Sequence, residues 1–123
     1  MYKLPEKDYD IMPNGRRVDN MRNAVKHCIG LDYSGINRHM YKRHGKTFWQ
    51  AYRNFYDAGC IDAEWEKLVE DGLAWYGEYK FRCGSAAEER IGRNYHMTEK
   101  GIRWLEKEFG IVIKRDRISE LLR

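Results

Sequence analysis

The stretch TFWQAYRNFYDAG, residues 47–59, decides the fold of this chain. Phe48, Ala51, Tyr52 and Phe55 recur at the spacing of one helix face, Trp49 and Tyr56 flank them, and Gly59 closes the run. That spacing predicts a ring-rich helix at the centre of the core.

Downstream, Asp62 is placed to cap a further helix whose buried stripe is Trp65, Leu68 and Val69, with Gly72 as terminator. LAWYGEYKFRC alternates like a strand, GSAAEERIG has the small and charged residues of a hairpin tip, and RNYHMT reads as the returning strand. A β-hairpin is therefore expected over residues 73–97. In NYHMTEKGIRWLEKEFG, residues 94–110, that strand stops at Thr98, whose hydroxyl can accept from a free amide of the next helical turn. Glu99 suits the positive end of the dipole, Ile102, Leu105 and Phe109 point inward, and Gly110 can end the helix left-handed. IVIK, residues 111–114, can add a short strand before a last turn with Ile118, Leu121 and Leu122.

Upstream, from about Val18 to Ile29, Met21, Ala24, Val25, Cys28 and Ile29 recur at helical spacing and mark a first helix that Gly30 stops. Residues 31–46, with Gly35 and Gly45, have no clean period and read as a loop with one helical turn around Arg38 to Lys42. Residues 1–14, with Pro5 and Pro13, read as an extended arm, and residues 15–123 as one domain. The expected fold class is α+β: three helices, a β-hairpin and a C-terminal helix.

Hydrophobic residues make up 42% of the 123 and charged residues 34%, which is a globular and not a disordered composition. No apolar run approaches the roughly 18 residues that cross a bilayer, and MYKLPEKDYD lacks the order of a signal peptide, so a cytoplasmic protein with no membrane partner is expected. Cys28, Cys60 and Cys83 are odd in number and form no CxxC pair, which favours reduced thiols. Cys28, His39, His44 and Cys60 can be drawn as a metal site, but their spacing fits no standard finger, and no metal or cofactor is expected. The carboxylate pairs lie on a hairpin tip and a solvated helix face, and Cys28 lies on an apolar stripe beside His27. No catalytic residues are assigned, and the chain is expected not to be an enzyme.

Charge is unevenly spread. Residues 1–60 hold eleven basic and six acidic groups (+5), residues 61–75 hold one against five (−4), and residues 76–123 hold eleven against eight (+3), giving a net +4. The negative segment is the helix DAEWEKLVEDG. The positive one, RHMYKRHGKTFWQAYR, interleaves cations with Tyr41, Trp49 and Tyr52, as phosphate contact combined with base stacking requires.

The run from LVEDGLA through the hairpin to YHMTEKGIRWL resembles the winged-helix domain of the multiple-antibiotic-resistance and phenolic-acid-repressor families. Leu68, Gly72, Leu73, Tyr95, Thr98, Gly101 and Leu105 carry the likeness, over residues 61–109. It implies a winged-helix-like fold and regulation of transcription through DNA, often by a homodimer that reads two half-sites. Over residues 22–113, HCIGLD, YKRHGKTFWQAYRNFYDAG, WEKLVEDGLA and MTEKGIRWLEKEFGIVI also look like small proteins carried by phages and prophages of Gram-positive bacteria. That likeness implies phage control of the host, in the host cytoplasm.

In a winged-helix regulator the helix before the wing meets phosphates, yet here it carries five carboxylates, which a polyanion repels. Two functions from different classes follow. In the first, DNA is held by Arg38, Lys42, Arg43, Lys46 and Arg53 and by the wing residues Lys80, Arg82, Arg90 and Arg93. In the second, Glu64, Glu66 and Glu70 engage a host nucleic-acid-binding protein or ribonucleoprotein and inhibit a defence system, as anti-CRISPR proteins do.

Overall fold

Three helices start where a side chain can take up free amides. Asn20 accepts from the Arg22 N–H and opens α1 (Met21–Ile29), and Asp62 accepts from the Glu64 and Trp65 N–H groups and opens α2 (Ala63–Glu70). Thr98 accepts from the Gly101 N–H and opens α3 (Glu99–Phe109), while its own hydroxyl donates to the Gly72 carbonyl at 2.7 Å. Gly30 and Gly110 end α1 and α3 with φ of 77° and 64°. The starts at Asp62 and Thr98 and the stops at Gly30 and Gly110 agree with the sequence reading, whereas the first helix, expected from about Val18, starts only at Met21 because Arg17–Asp19 is a strand.

Eight strands make up the rest, in a computed structural model that describes residues 2–31, 40–82, 84 and 88–123. β1 (Tyr9–Ile11) and β2 (Arg17–Asp19) form an antiparallel pair. β3 (Met40–Arg43) and β4 (Lys46–Gln50) form a hairpin, and β8 (Val112–Lys114) adds to β4 in parallel, giving the order β3-β4-β8. β5 (Tyr56–Asp57), β6 (Ala74–Phe81) and β7 (Arg90–Met97) form the third sheet, in the order β5-β7-β6, and a 3₁₀ turn, Ser119–Leu121, follows β8.

This arrangement overturns the winged-helix-like expectation. Among the described residues there are three α-helices and eight strands in three small sheets, and strand residues outnumber helical ones. The helix predicted over residues 47–59 does not form: its first part is β4, its last part contains β5, and an irregular extended segment lies between. The helical turn expected around Arg38 to Lys42 becomes β3 where it is described. Residues 9–11 of the expected arm are β1, Leu4 is buried, and the Tyr2 N–H donates to Asp71.

The physical reason lies in which side chains are buried. A helix would bury Phe48, Ala51, Tyr52 and Phe55, but Tyr52 and Phe55 are 48% and 43% exposed, while Trp49, Ala51 and Asn54 are enclosed. Lys46–Gln50 alternates with period two, and His44 and Gly45 supply the two positive φ angles, 52° and 74°, of a two-residue hairpin turn. The Ala51 N–H then donates to the Lys114 carbonyl, extending the pairing with β8.

One core joins these pieces. Trp65 stacks between Tyr56 and Tyr95 at centroid distances of 5.3 and 5.2 Å, and Leu68, Leu73, Ile102, Leu105 and Ile113 are fully enclosed around the rings. Gly101 brings α3 against the end of α2: a methyl group there would overlap the Leu73 carbonyl.

Among the described residues Asn54 is the buried polar side chain of this core. Its Oδ1 accepts from the Met97 N–H at 2.7 Å and its Nδ2 donates to the Met97 carbonyl at 2.9 Å, while its own carbonyl meets His96 Nδ1 at 2.6 Å. Asn54→Ala leaves both Met97 groups without the amide in a site closed to water. It is expected to lower the unfolding free energy by about 2 to 5 kcal/mol in urea titration, as two orphaned buried groups would.

Candidate nucleic-acid interface

The registers of β3, β4 and β8 divide their side chains between two faces. Tyr41 is opposite Phe48, Arg43 is opposite Lys46, Phe48 is beside Val112, and Gln50 is beside Lys114, so these seven residues share one face. Trp49 and Ile113, opposite each other on the reverse face, are buried in the core. The first face is therefore the outer one. Tyr41 and Phe48 stack on it with centroids 5.3 Å apart and planes within 9°, and Tyr41 is 46% exposed.

Lys42, Arg43, His44 and Lys46 lie at the tip of this hairpin and are exposed, and Lys114 enters from β8. Among the described residues none of Lys42, Arg43, Lys46 and Lys114 forms an ion pair. A cleft of about 340 Å³ lies beside the tip, between Gly45–Thr47 and Glu106, Gly110, Ile111 and Val112. Glu106 in its wall is already neutralised, since Arg115 donates to it and the Ile113 N–H donates to its Oε2. Uncompensated cations around a ring pair can hold phosphates and stack bases.

The remaining predicted cations divide. Arg38 and His39 lie outside the described residues. Arg53 is half-buried: its guanidinium lies 3.9 Å over the Phe55 ring and donates to the Phe55 carbonyl, while its Nε is buried with no partner among the described residues. Lys80, Arg82 and Arg90 are exposed around the β6-β7 connection, in the other sheet, with Lys80 3.6 Å from Glu89.

Arg93 is not available to a phosphate. It pairs with Glu66 at 2.6 Å and Glu78 at 3.6 Å, lies 3.9 Å over the Tyr76 ring, and its side chain is 13% exposed. Its expected place on a free wing is corrected by that network. Sequence reasoning missed Lys114 and placed Phe48 in the core. The alternation in KTFWQ and in VIK carried the signal for both.

The acidic helix is also less free than its composition suggests. Glu66 accepts from Arg93 and, at 2.7 Å, from the Tyr95 hydroxyl, and Glu64 accepts from the Tyr2 hydroxyl at 2.6 Å. Glu70 is exposed. Burial alone would raise Glu66, but the hydrogen bonds from Tyr95 and Arg93 outweigh it and hold the carboxyl below its ordinary value. Tyr95, enclosed and donating to that carboxylate, is pushed up to about 12.

Cys28 is fully enclosed, its thiol 3.5 Å from Asn54 Oδ1, and burial pushes it up to about 12, which leaves it a core thiol with no nucleophilic character at neutral pH. Cys60 is exposed, and Cys83 lies outside the described residues. Among the described residues no group of three His, Cys, Asp or Glu side chains is placed to hold a metal ion, and no helix is long and apolar enough to cross a membrane.

Comparison with protein-family models, with curated proteins and with solved structures gives no match. The outer face of the β3-β4-β8 sheet, with Arg43, Lys46 and Lys114 on the same side as the stacked Tyr41 and Phe48, is the candidate functional surface.

Glu66 gives a pH signature to the fold. Its carboxyl is depressed in the folded chain, so the unfolded chain takes up the proton first, and acid favours unfolding. The stability it contributes is present above the ordinary value of 4.5 and lost as pH falls through the lower folded value. Glu66→Gln is expected to unfold at lower urea than the parent chain at pH 7, with the gap closing in titrations run progressively below pH 4.5.

Proposed function

We propose that this chain is a non-catalytic nucleic-acid-binding protein that holds a sugar–phosphate backbone, DNA in the first instance, against the outer face of the β3-β4-β8 sheet. One observation carries the reading: Arg43, Lys46 and Lys114 share an exposed face with the stacked Tyr41 and Phe48, and no carboxylate of the described residues neutralises them. Cations supply affinity for any phosphate backbone, and the exposed ring offers a π-face to an unpaired base. The surface reads charge and stacking, so sequence preference is expected to be modest and single strands to be favoured over duplex.

Capture of a basic host protein or ribonucleoprotein by α2 is the competing reading. It has less to work with, since Glu66 is held by Arg93 and Tyr95 and Glu64 is bonded by Tyr2.

Fluorescence anisotropy with labelled single-stranded and duplex DNA over a salt series separates the two. The parent chain should bind with affinity that falls as salt rises. The triple variant Arg43→Glu/Lys46→Glu/Lys114→Glu should lose binding, or keep a remnant whose slope of log K against log salt is shallower by roughly 2 to 3, one phosphate contact per cation. Glu64→Lys/Glu70→Lys should bind DNA as well or better. No salt-sensitive binding by the parent chain, or equal binding by the triple variant, would sink the proposal.

A further inference from the structure

β6 is the outer strand of its sheet. It pairs with β7 along all eight of its residues and, among the described residues, no strand pairs with its other side. An edge of that length presents a row of main-chain donors and acceptors that proteins either blunt or use. Gly77, Glu78 and Lys80 on it are exposed, and a Cβ added at Gly77 would meet nothing within 4 Å.

We propose that β6 pairs antiparallel with β6 of a second copy of this chain, about a two-fold axis perpendicular to the sheet and passing beside Tyr79. Such an axis keeps each face of the sheet on its own side, so residues directly opposite share a face. Centred on Tyr79, the register sets Glu78 opposite the partner's Lys80, and symmetry repeats the pair. Arg93 already lies 3.6 Å from Glu78 on that face, so charges would alternate across three strands: Arg93, Glu78, then the partner's Lys80.

Two further oppositions fit this register. Tyr76 meets the partner's Arg82, a ring against a cation. On the other face, bare Gly77 meets the partner's Phe81. The chain uses that device internally, where Tyr79 lies directly opposite Gly92 and its ring fills the space a methyl group there would need. Other symmetric registers are worse: centring on Glu78 or on Lys80 sets like charges face to face, and centring on Gly77 leaves Lys80 opposite Ala74.

A contact made by one strand edge is small, so the dimer should be weak. Sedimentation velocity from roughly 5 to 500 μM brackets such an affinity. The parent chain should move from monomer toward dimer as concentration rises. Glu78→Lys alone and Lys80→Glu alone each place like charges at both crossings and should weaken association by roughly tenfold or more. An equimolar mixture of these two variants should associate, because each crossing then joins opposite charges, and the double variant Glu78→Lys/Lys80→Glu should self-associate again. Recovery in the mixture cannot come from misfolded chains, and circular dichroism of each variant checks the fold directly. A parent chain that stays monomeric throughout, a dimer that both single variants leave intact, or a mixture that fails to associate overturns the proposal.

Discussion

The amide of Asn54 stands where a peptide group of a neighbouring strand would stand, bonding both main-chain groups of Met97 at 2.7 and 2.9 Å inside a fully closed site. Two parts of the fold meet there. Asn54 belongs to the segment leading from β4 to β5, and Met97 is the last residue of β7, directly before the Thr98 cap of α3. The Cys28 thiol of α1 approaches the same amide oxygen at 3.5 Å. Because a buried polar group costs far more unpaired than a single hydrogen bond returns when made, the chain has one low-energy way to close this region, and it fixes where β7 ends and α3 starts.

The parallel pairing of β4 with β8 has a similar role for the functional surface. It joins residues from the two halves of the chain, with Trp49 and Ile113 facing the core and Phe48, Gln50, Val112 and Lys114 facing out. The burial of Trp49 thus orients everything on the other side of the strand. Cations and rings are presented together as a consequence of which indole is kept from water.

Charge is handled differently at the two poles. Around α2 two of the helix's carboxylates are answered, since Arg93 bridges Glu66 and Glu78, Tyr95 donates to Glu66, and Tyr2 donates to Glu64, while Glu70 is exposed. At the β3-β4 tip the cations are left unanswered among the described residues. A chain of modest net charge can therefore carry a locally strong positive surface, since the excess depends on which opposite charges are consumed by folding and not on the total.

The sequence by itself determined the locally encoded parts. Asp62, Thr98, Gly30 and Gly110 set the helix ends, the apolar stripes set α1, α2 and α3, and the strand patterns at 73–83 and 93–98 set the β6-β7 hairpin, whose returning strand starts at Arg90, inside the expected tip, because caps, glycines and periodicity act within a few residues. The tertiary structure decided residues 47–59. Their rings fit a helix period by spacing, but strand pairing with β3 and β8 and the closed sites for Trp49 and Asn54 outweigh that local preference. It also decided which charges are free, since the pairing of Glu66 with Arg93 and the arrival of Lys114 beside Gln50, on the face that carries Phe48, depend on contacts between residues far apart in the chain, which no local pattern records.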